Sequence, residues 1–182
     1  RAIGLPAEAA VGDARRLDLG REFSLVIAPM QLVQLLADET ERLACLAAIA
    51  AHLVPGGLAA LAIVEDPFAD QDMAPFSGHR REERFSAPLP DTREVGGIVY
   101  SSLPLPTLVD RHGMEVRRLR QTVSADGELA DEESTIRLCR LSAAQLEREA
   151  RAAGLEPRPR RAIPPTDDHV GSTVVLLRKG VA

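Results

Sequence analysis

The chain has 182 residues, 27% of them charged, 45% hydrophobic and 3% aromatic, with a formal net charge of −5. That length suits one domain with a real core. The scarcity of aromatics argues against a stacking platform for single-stranded nucleic acid, and the acidic balance against a phosphate-binding surface. The two cysteines, Cys45 and Cys139, stand far apart in no metal-type spacing and are expected as buried thiols of a reducing cytoplasm. No apolar run is long enough to cross a bilayer, so no membrane partner is expected.

Residues 7–14 predict a short strand that finishes at Asp13. A loop follows through Arg15, Asp18 and Gly20. Residues 23–28 (FSLVIA) then form a continuous apolar run, the pattern of a strand buried on both faces. Pro29 stops its ladder because it has no N–H to donate. Leu32, Leu35 and Leu36 suit a first helical turn, and Asp38 and Glu39 stand where a helix N-terminus favours acid. Leu43, Leu46, Ile49, Ala50 and Leu53 continue at helical spacing. Pro55-Gly56-Gly57 reads as the turn that ends this helix, and 58–64 (LAALAIV) as a second apolar strand. Strand, helix and strand with short joints make a βαβ unit and imply a parallel sheet.

The periodicity vanishes over 65–91, which reads as a long loop or lid. Segments 94–103, 115–124 and 134–141 are strand-like, with Asp126-Gly127 as a hairpin signal, and are expected to form an antiparallel meander. Ser142-Ala143-Ala144-Gln145 is a capping box that opens a helix closed by Gly154. A strand over 155–162, a loop over 164–171 and a final apolar strand over 172–178 complete the chain. The fold class is α/β. Ligands of an open parallel sheet sit beyond the carboxyl ends of its strands. That rule selects Asp13-Ala14, 28–31, Glu65-Asp66 and the loop with Asp167, Asp168 and His169.

GDARRLDLGREFSLVIAP, then ETERLACLAAIAAHLVPGG, then LAALAIV, resembles the middle of a class I, Rossmann-like S-adenosylmethionine-dependent methyltransferase. LSAAQLEREARAAGLE and the terminal VGSTVVLLR resemble that family's last helix and antiparallel strand pair. The resemblance covers residues 11–64 and 137–178. It implies one partial domain, with 1–64 and 137–182 as Rossmann-like core and 65–136 as lid and insert on the acceptor side. It implies S-adenosyl-L-methionine as cofactor and a small molecule as methyl acceptor. The Asp13 carboxylate, a pure acceptor, would take the adenine amine, with the Ala14 N–H beside the ring. Ala28 and Pro29 would pass the cofactor's methionine part, and Met30 and Gln31 would begin the wall shared with the acceptor. Otherwise Asp13 is a strand-end turn residue and Gln31 a plain helix-start residue.

The family's glycine loop (E/DxGxGxG) is absent from this sequence, as is the acid after its second strand. The family's strand order, 3-2-1-4-5-7-6, would then lack its first two βα units. The strand ending at Asp13 would have no neighbour, and 23–28 would become an apolar exposed edge. The expectation is a truncated chain, inactive or weak by itself, whose edge would favour pairing into a homodimer.

Methyl transfer is an in-line displacement that needs alignment and exclusion of water, and a base only when the acceptor must lose a proton. His169 is the candidate base, since imidazole titrates at about 6.5; otherwise it is an exposed loop histidine. His79 and His112 are weaker candidates, and His52 suits a helix C-terminus. Glu65 or Asp66 would position the acceptor, and Tyr100 with Arg118 or Arg137 would line its pocket. Two other readings stay open: a nicotinamide-dependent oxidoreductase and a non-catalytic Rossmann-like binding domain.

Overall fold

In the computed structural model the described residues are 7–65, 81–83, 90–110, 112–166 and 171–181. Apolar strand β1 (Phe23–Ala28) leads through a 3-10 turn (Leu32–Leu35) into α1 (Glu39–Ala51), which returns to β2 (Leu53–Ile63). β1 and β2 are parallel, as the βαβ reading requires. After α2 (Ala143–Ala152), strands β9 (Leu155–Ile163) and β10 (Ser172–Lys179) form an antiparallel pair. β10 inserts beside β2, so the sheet order is β1-β2-β10-β9. That is the expected 4-5-7-6 end of the Rossmann-like order.

Three sequence expectations need correction. Residues 7–13 form no strand. Asp13 instead caps a 3-10 turn (Ala14–Arg16), its side chain accepting from the Arg15 N–H, and residues 7–13 pair with no strand among the described residues. Pro55-Gly56-Gly57 does not end the helix, which stops at Ala51, but lies inside β2. There it makes a bulge: Phe23 pairs with Leu53, while Leu25, two residues on, pairs with Leu58. Residues 94–103 are not one strand, since Gly96 and Gly97 (φ 62° and 78°) turn β4 (Asp91–Val95) into β5 (Ile98–Pro104).

The inserted sheet is the expected antiparallel array. Long β7 (Gly113–Val123) pairs along one side with β8 (Leu129–Cys139). Its other side is shared by β5 and short β6 (Thr107–Asp110), and β3 (Arg81–Glu83) flanks β6. Gly127 N–H donates to the Ser124 carbonyl at 2.9 Å in the expected hairpin.

The helices begin on side-chain caps. Asp38 accepts from Glu41 N–H at 2.9 Å, and Glu41 in turn accepts from Ala37 N–H at 2.8 Å. Ser142 accepts from Gln145 N–H at 3.1 Å, but the Gln145 amide turns to Glu149 instead of reaching back, so half of the predicted box forms.

α1 and α2 cover the same face of the β1-β2-β10-β9 sheet. Leu46, Ile49, Leu146 and Ala150 pack there with Ala59, Leu61, Val175 and Leu177. Alternate residues point the other way. Leu25 pairs with Leu58 and Ile27 with Ala60, and Leu25, Ile27 and Leu58 are exposed. One sheet face is a core and the opposite face is an open apolar surface.

Candidate functional site at the open edge of the parallel strands

Between β1, the turn at Ala14 and α1 lies an apolar groove of about 270 Å³, lined by Ala14, Leu17, Phe23, Ala28, Cys45 and His52 among others. Ala14 and Ala28 keep it open, since a larger side chain at either position would intrude. Thus two of the predicted cofactor residues share one groove. Burial pushes the Cys45 thiol up to about 11, with the Asp13 charge adding to the effect, so at neutral pH it is a protonated wall atom and not a nucleophile. His52 accepts the Leu19 N–H on Nε2 at 2.8 Å, and its Nδ1 lies 2.7 Å from the Ala48 carbonyl. That arrangement needs the neutral ring with its proton on Nδ1. His52 is the residue that follows the last turn of α1, and it also pins the loop before β1.

Asp13 stands beside the groove. Its Oδ1 and Oδ2 accept from Arg15 Nε and Nη2 at 2.9 and 2.7 Å, and Arg15 also reaches Glu41. Those hydrogen bonds to Arg15 hold the Asp13 carboxyl well below the usual carboxylate range. It is a charged acceptor, at present shared with a neighbouring guanidinium.

Beyond Ala28 the chain passes through Pro29, Met30 and Gln31 at the carboxyl end of β1. Met30 and Gln31 both have left-handed backbone, with φ of 53° and 58°. Gln34, buried in the following turn, was not singled out by the sequence. Its Oε1 accepts from Val64 N–H at 2.8 Å, and its Nε2 donates to the carbonyls of Val64 and Cys139 at 3.0 and 3.1 Å. A polar residue inside the apolar run LVQLL was the signal available.

The acceptor-side candidates are not gathered together. Glu65 turns to the packing: its carboxylate accepts from Ala143 N–H at 2.7 Å and from the Thr173 hydroxyl at 2.9 Å, anchoring the start of α2. Tyr100 is opposite Thr122 of β7, whereas Arg137 is opposite Glu115. Seven residues of strand separate those positions, about 24 Å at the usual rise. Arg137 is held by Asp110 at 2.7 Å and Glu115 at 3.0 Å, while Arg118 donates to Ser102 at 3.1 Å. Tyr100 instead borders an open trough of about 470 Å³ with Arg93, Arg120 and Glu132. His169, Asp66, Asp167, Asp168 and His79 lie outside the described residues. Among the described residues no group of acids, histidines and cysteines is arranged to hold a metal, and no helix is long and apolar enough to cross a membrane.

Solved structures share this fold over nearly the whole chain. The fold is that of S-adenosylmethionine-dependent methyltransferases. The sugar N-methyltransferase KedS8 from Streptoalloteichus sp ATCC 53650 is 21% identical over 92% of this chain and 61% of its own, at a TM-score of 0.65. An S-adenosylmethionine-dependent methyltransferase from Clostridium acetobutylicum ATCC 824 is 13% identical over 97% and 66%, at 0.63. The amino pentose methyltransferase CalS10 from Micromonospora echinaspora, solved with S-adenosylmethionine bound, is 21% identical over 92% and 63%, at 0.57. This chain thus spans about three-fifths of the length of the methyltransferases it matches. No protein-family model matches the sequence, and no curated protein does.

Proposed function

We propose that this chain forms the adenine-side and acceptor-side part of an enzyme that transfers a methyl group from S-adenosyl-L-methionine to a small molecule. The observation that carries the reading is the sheet order β1-β2-β10-β9, with antiparallel β10 between β2 and β9. That strand is what separates this fold from the all-parallel sheet of a nicotinamide-dependent oxidoreductase.

The described residues fit two ends of the cofactor. Asp13 supplies a charged acceptor for the adenine amine if Arg15 swings aside, and small Ala14 and Ala28 leave room along the apolar groove. Pro29, Met30 and Gln31 follow at the carboxyl end of β1, where the methionine part and the acceptor would meet. Bound S-adenosylmethionine supplies the electrophilic methyl group; the chain's residues hold, orient and keep water from the reactants. The sequence carries no glycine loop to cradle the methionine and ribose parts, so the 182-residue chain alone is inactive or weak in this reading. The open face and free edge of β1 are where a complementary strand and helices would complete the site.

For the acceptor, amine-bearing sugars are the first class to test, because KedS8 and CalS10 are named for sugar N-methylation and amino-pentose methylation. His169 is the proposed base for acceptors that must lose a proton. Glu65, Tyr100 and Arg137 keep their proposed acceptor-side roles only as separate positions, since they do not converge.

The deciding experiment is calorimetric titration of the intact protein, as its gene encodes it, with S-adenosylmethionine, S-adenosylhomocysteine and NAD. Saturable binding of the first two and none of NAD is expected. Binding of NAD alone would favour the oxidoreductase, and binding of none would favour a non-catalytic domain.

A further inference from the structure

Met30 and Gln31 are the non-glycine residues with positive φ among the described residues. A side chain in that region crowds its own backbone, so such residues persist only where the surroundings over-determine them. Here two stand in succession, at the carboxyl end of β1, on the ligand side of the sheet. Core packing does not explain the first of them, because Met30 is 82% exposed.

What fixes the pair is the turn after it. Leu32 N–H donates to the Pro29 carbonyl at 3.3 Å and Gln34 N–H to the Gln31 carbonyl at 2.8 Å. The Gln34 side chain, 2% exposed, then bonds both backbone groups of Val64 and the Cys139 carbonyl. Val64 follows the last residue of β2, and Cys139 ends β8. One buried amide therefore joins three things: the strained loop, the carboxyl end of the neighbouring strand, and the root of the inserted sheet. An apolar side chain would fill the space at less desolvation cost, but it could make none of these bonds.

We propose that Gln34 is a positioning residue that holds Met30 and Gln31 in their left-handed conformation for the methyl donor and locks that loop to the root of the inserted sheet. The inference rests on the methyltransferase reading above. It makes the strain useful: the loop is set before the donor arrives, and the acceptor-side sheet is tied to the same frame.

The test compares glycine with alanine at the strained pair in the intact protein. Both remove the side chain, but only glycine frees the backbone. S-adenosylhomocysteine affinity by calorimetry should be about tenfold lower in Met30→Gly than in Met30→Ala and about tenfold lower in Gln31→Gly than in Gln31→Ala, with the glycine variants melting no lower than the alanine ones. Gln34→Met should weaken binding too, and Gln31→Gly added to it should cost little more, because both act through one loop. Equal affinity of the glycine and alanine variants would overturn the inference, even if Gln34→Met does not fold. Additive losses would overturn the part assigned to Gln34. Wild-type protein that binds no S-adenosylmethionine would instead remove the methyltransferase reading, and this inference with it.

Discussion

Arg42 on α1 and Glu149 on α2 are 5% and 4% exposed and meet through two hydrogen bonds, at 2.8 and 2.7 Å. The Gln145 amide adds a third contact to Glu149 at 3.0 Å, and Arg42 Nη1 lies 3.7 Å from the Cys139 sulfur. Hydrogen bonding to Glu149 raises the Arg42 guanidinium further above its ordinary value, so its charge is permanent. A permanent buried charge is costly once its partner goes. Glu149→Ala should therefore destabilise the fold by about 3 kcal/mol in urea unfolding, whereas the double variant Arg42→Met with Glu149→Leu should recover most of that loss. A single variant as stable as the parent would show the pair to be solvated in solution. This pair was invisible in the sequence, where the two residues are 107 apart and each reads as an ordinary surface charge. Glu65 was misleading for the same reason. Its place after an apolar strand is legible, but the direction of its carboxylate depends on where α2 begins in space. Asp13 was legible as an acid at the end of a segment, but neither its place at a 3-10 turn nor its engagement by Arg15 was.

Elements were read well where one physical signal dominated. The apolar run of β1, the helical spacing of α1 and the Ser142 cap all gave elements in the predicted places. Errors came where two signals conflict. Pro-Gly-Gly is turn chemistry, yet here the strand ladder resumes on both sides of it, because Leu53 already pairs with Phe23. The bulge also explains why both glycines are needed. Gly56 has a φ of 77°, and a Cβ on Gly57 would meet the Val54 carbonyl oxygen at 2.9 Å and the Phe23 carbonyl oxygen at 3.2 Å. Both close atoms are backbone and have little room to shift. Gly57→Ala should destabilise the chain by about 2 kcal/mol in denaturant unfolding. Gly20→Ala serves as the contrast: a Cβ there meets nothing within 4 Å, so its cost should be confined to the strain of its φ of 64°. Equal effects of the two would show that the bulge is plastic.

At the scale of the molecule, the sheet edges differ in how they are protected. Edge strand β9 carries Pro157, Pro159 and arginines at 158, 160 and 161, and edge strand β8 carries Asp131, Glu132 and Glu133. Prolines and charges on an edge discourage pairing with another chain. β1 has no such guard within FSLVIA, and the face it shares with β2 and β10 presents Leu25, Ile27 and Leu58 to solvent. A parallel strand is stable when both of its faces are covered, and the helices cover only one face of β1. The apolar exposed edge was foreseeable from strand order; what the structure adds is that the uncovered surface extends across the sheet face opposite both helices. The 182-residue chain should accordingly self-associate, with scattering that rises with concentration. Leu25→Lys with Ile27→Lys should suppress that association, while the unfolding free energy should change by no more than about 0.5 kcal/mol, because these side chains lie outside the buried core. Monodisperse wild-type chain, or a large loss of stability in the double variant, would mean that this face is already covered in solution.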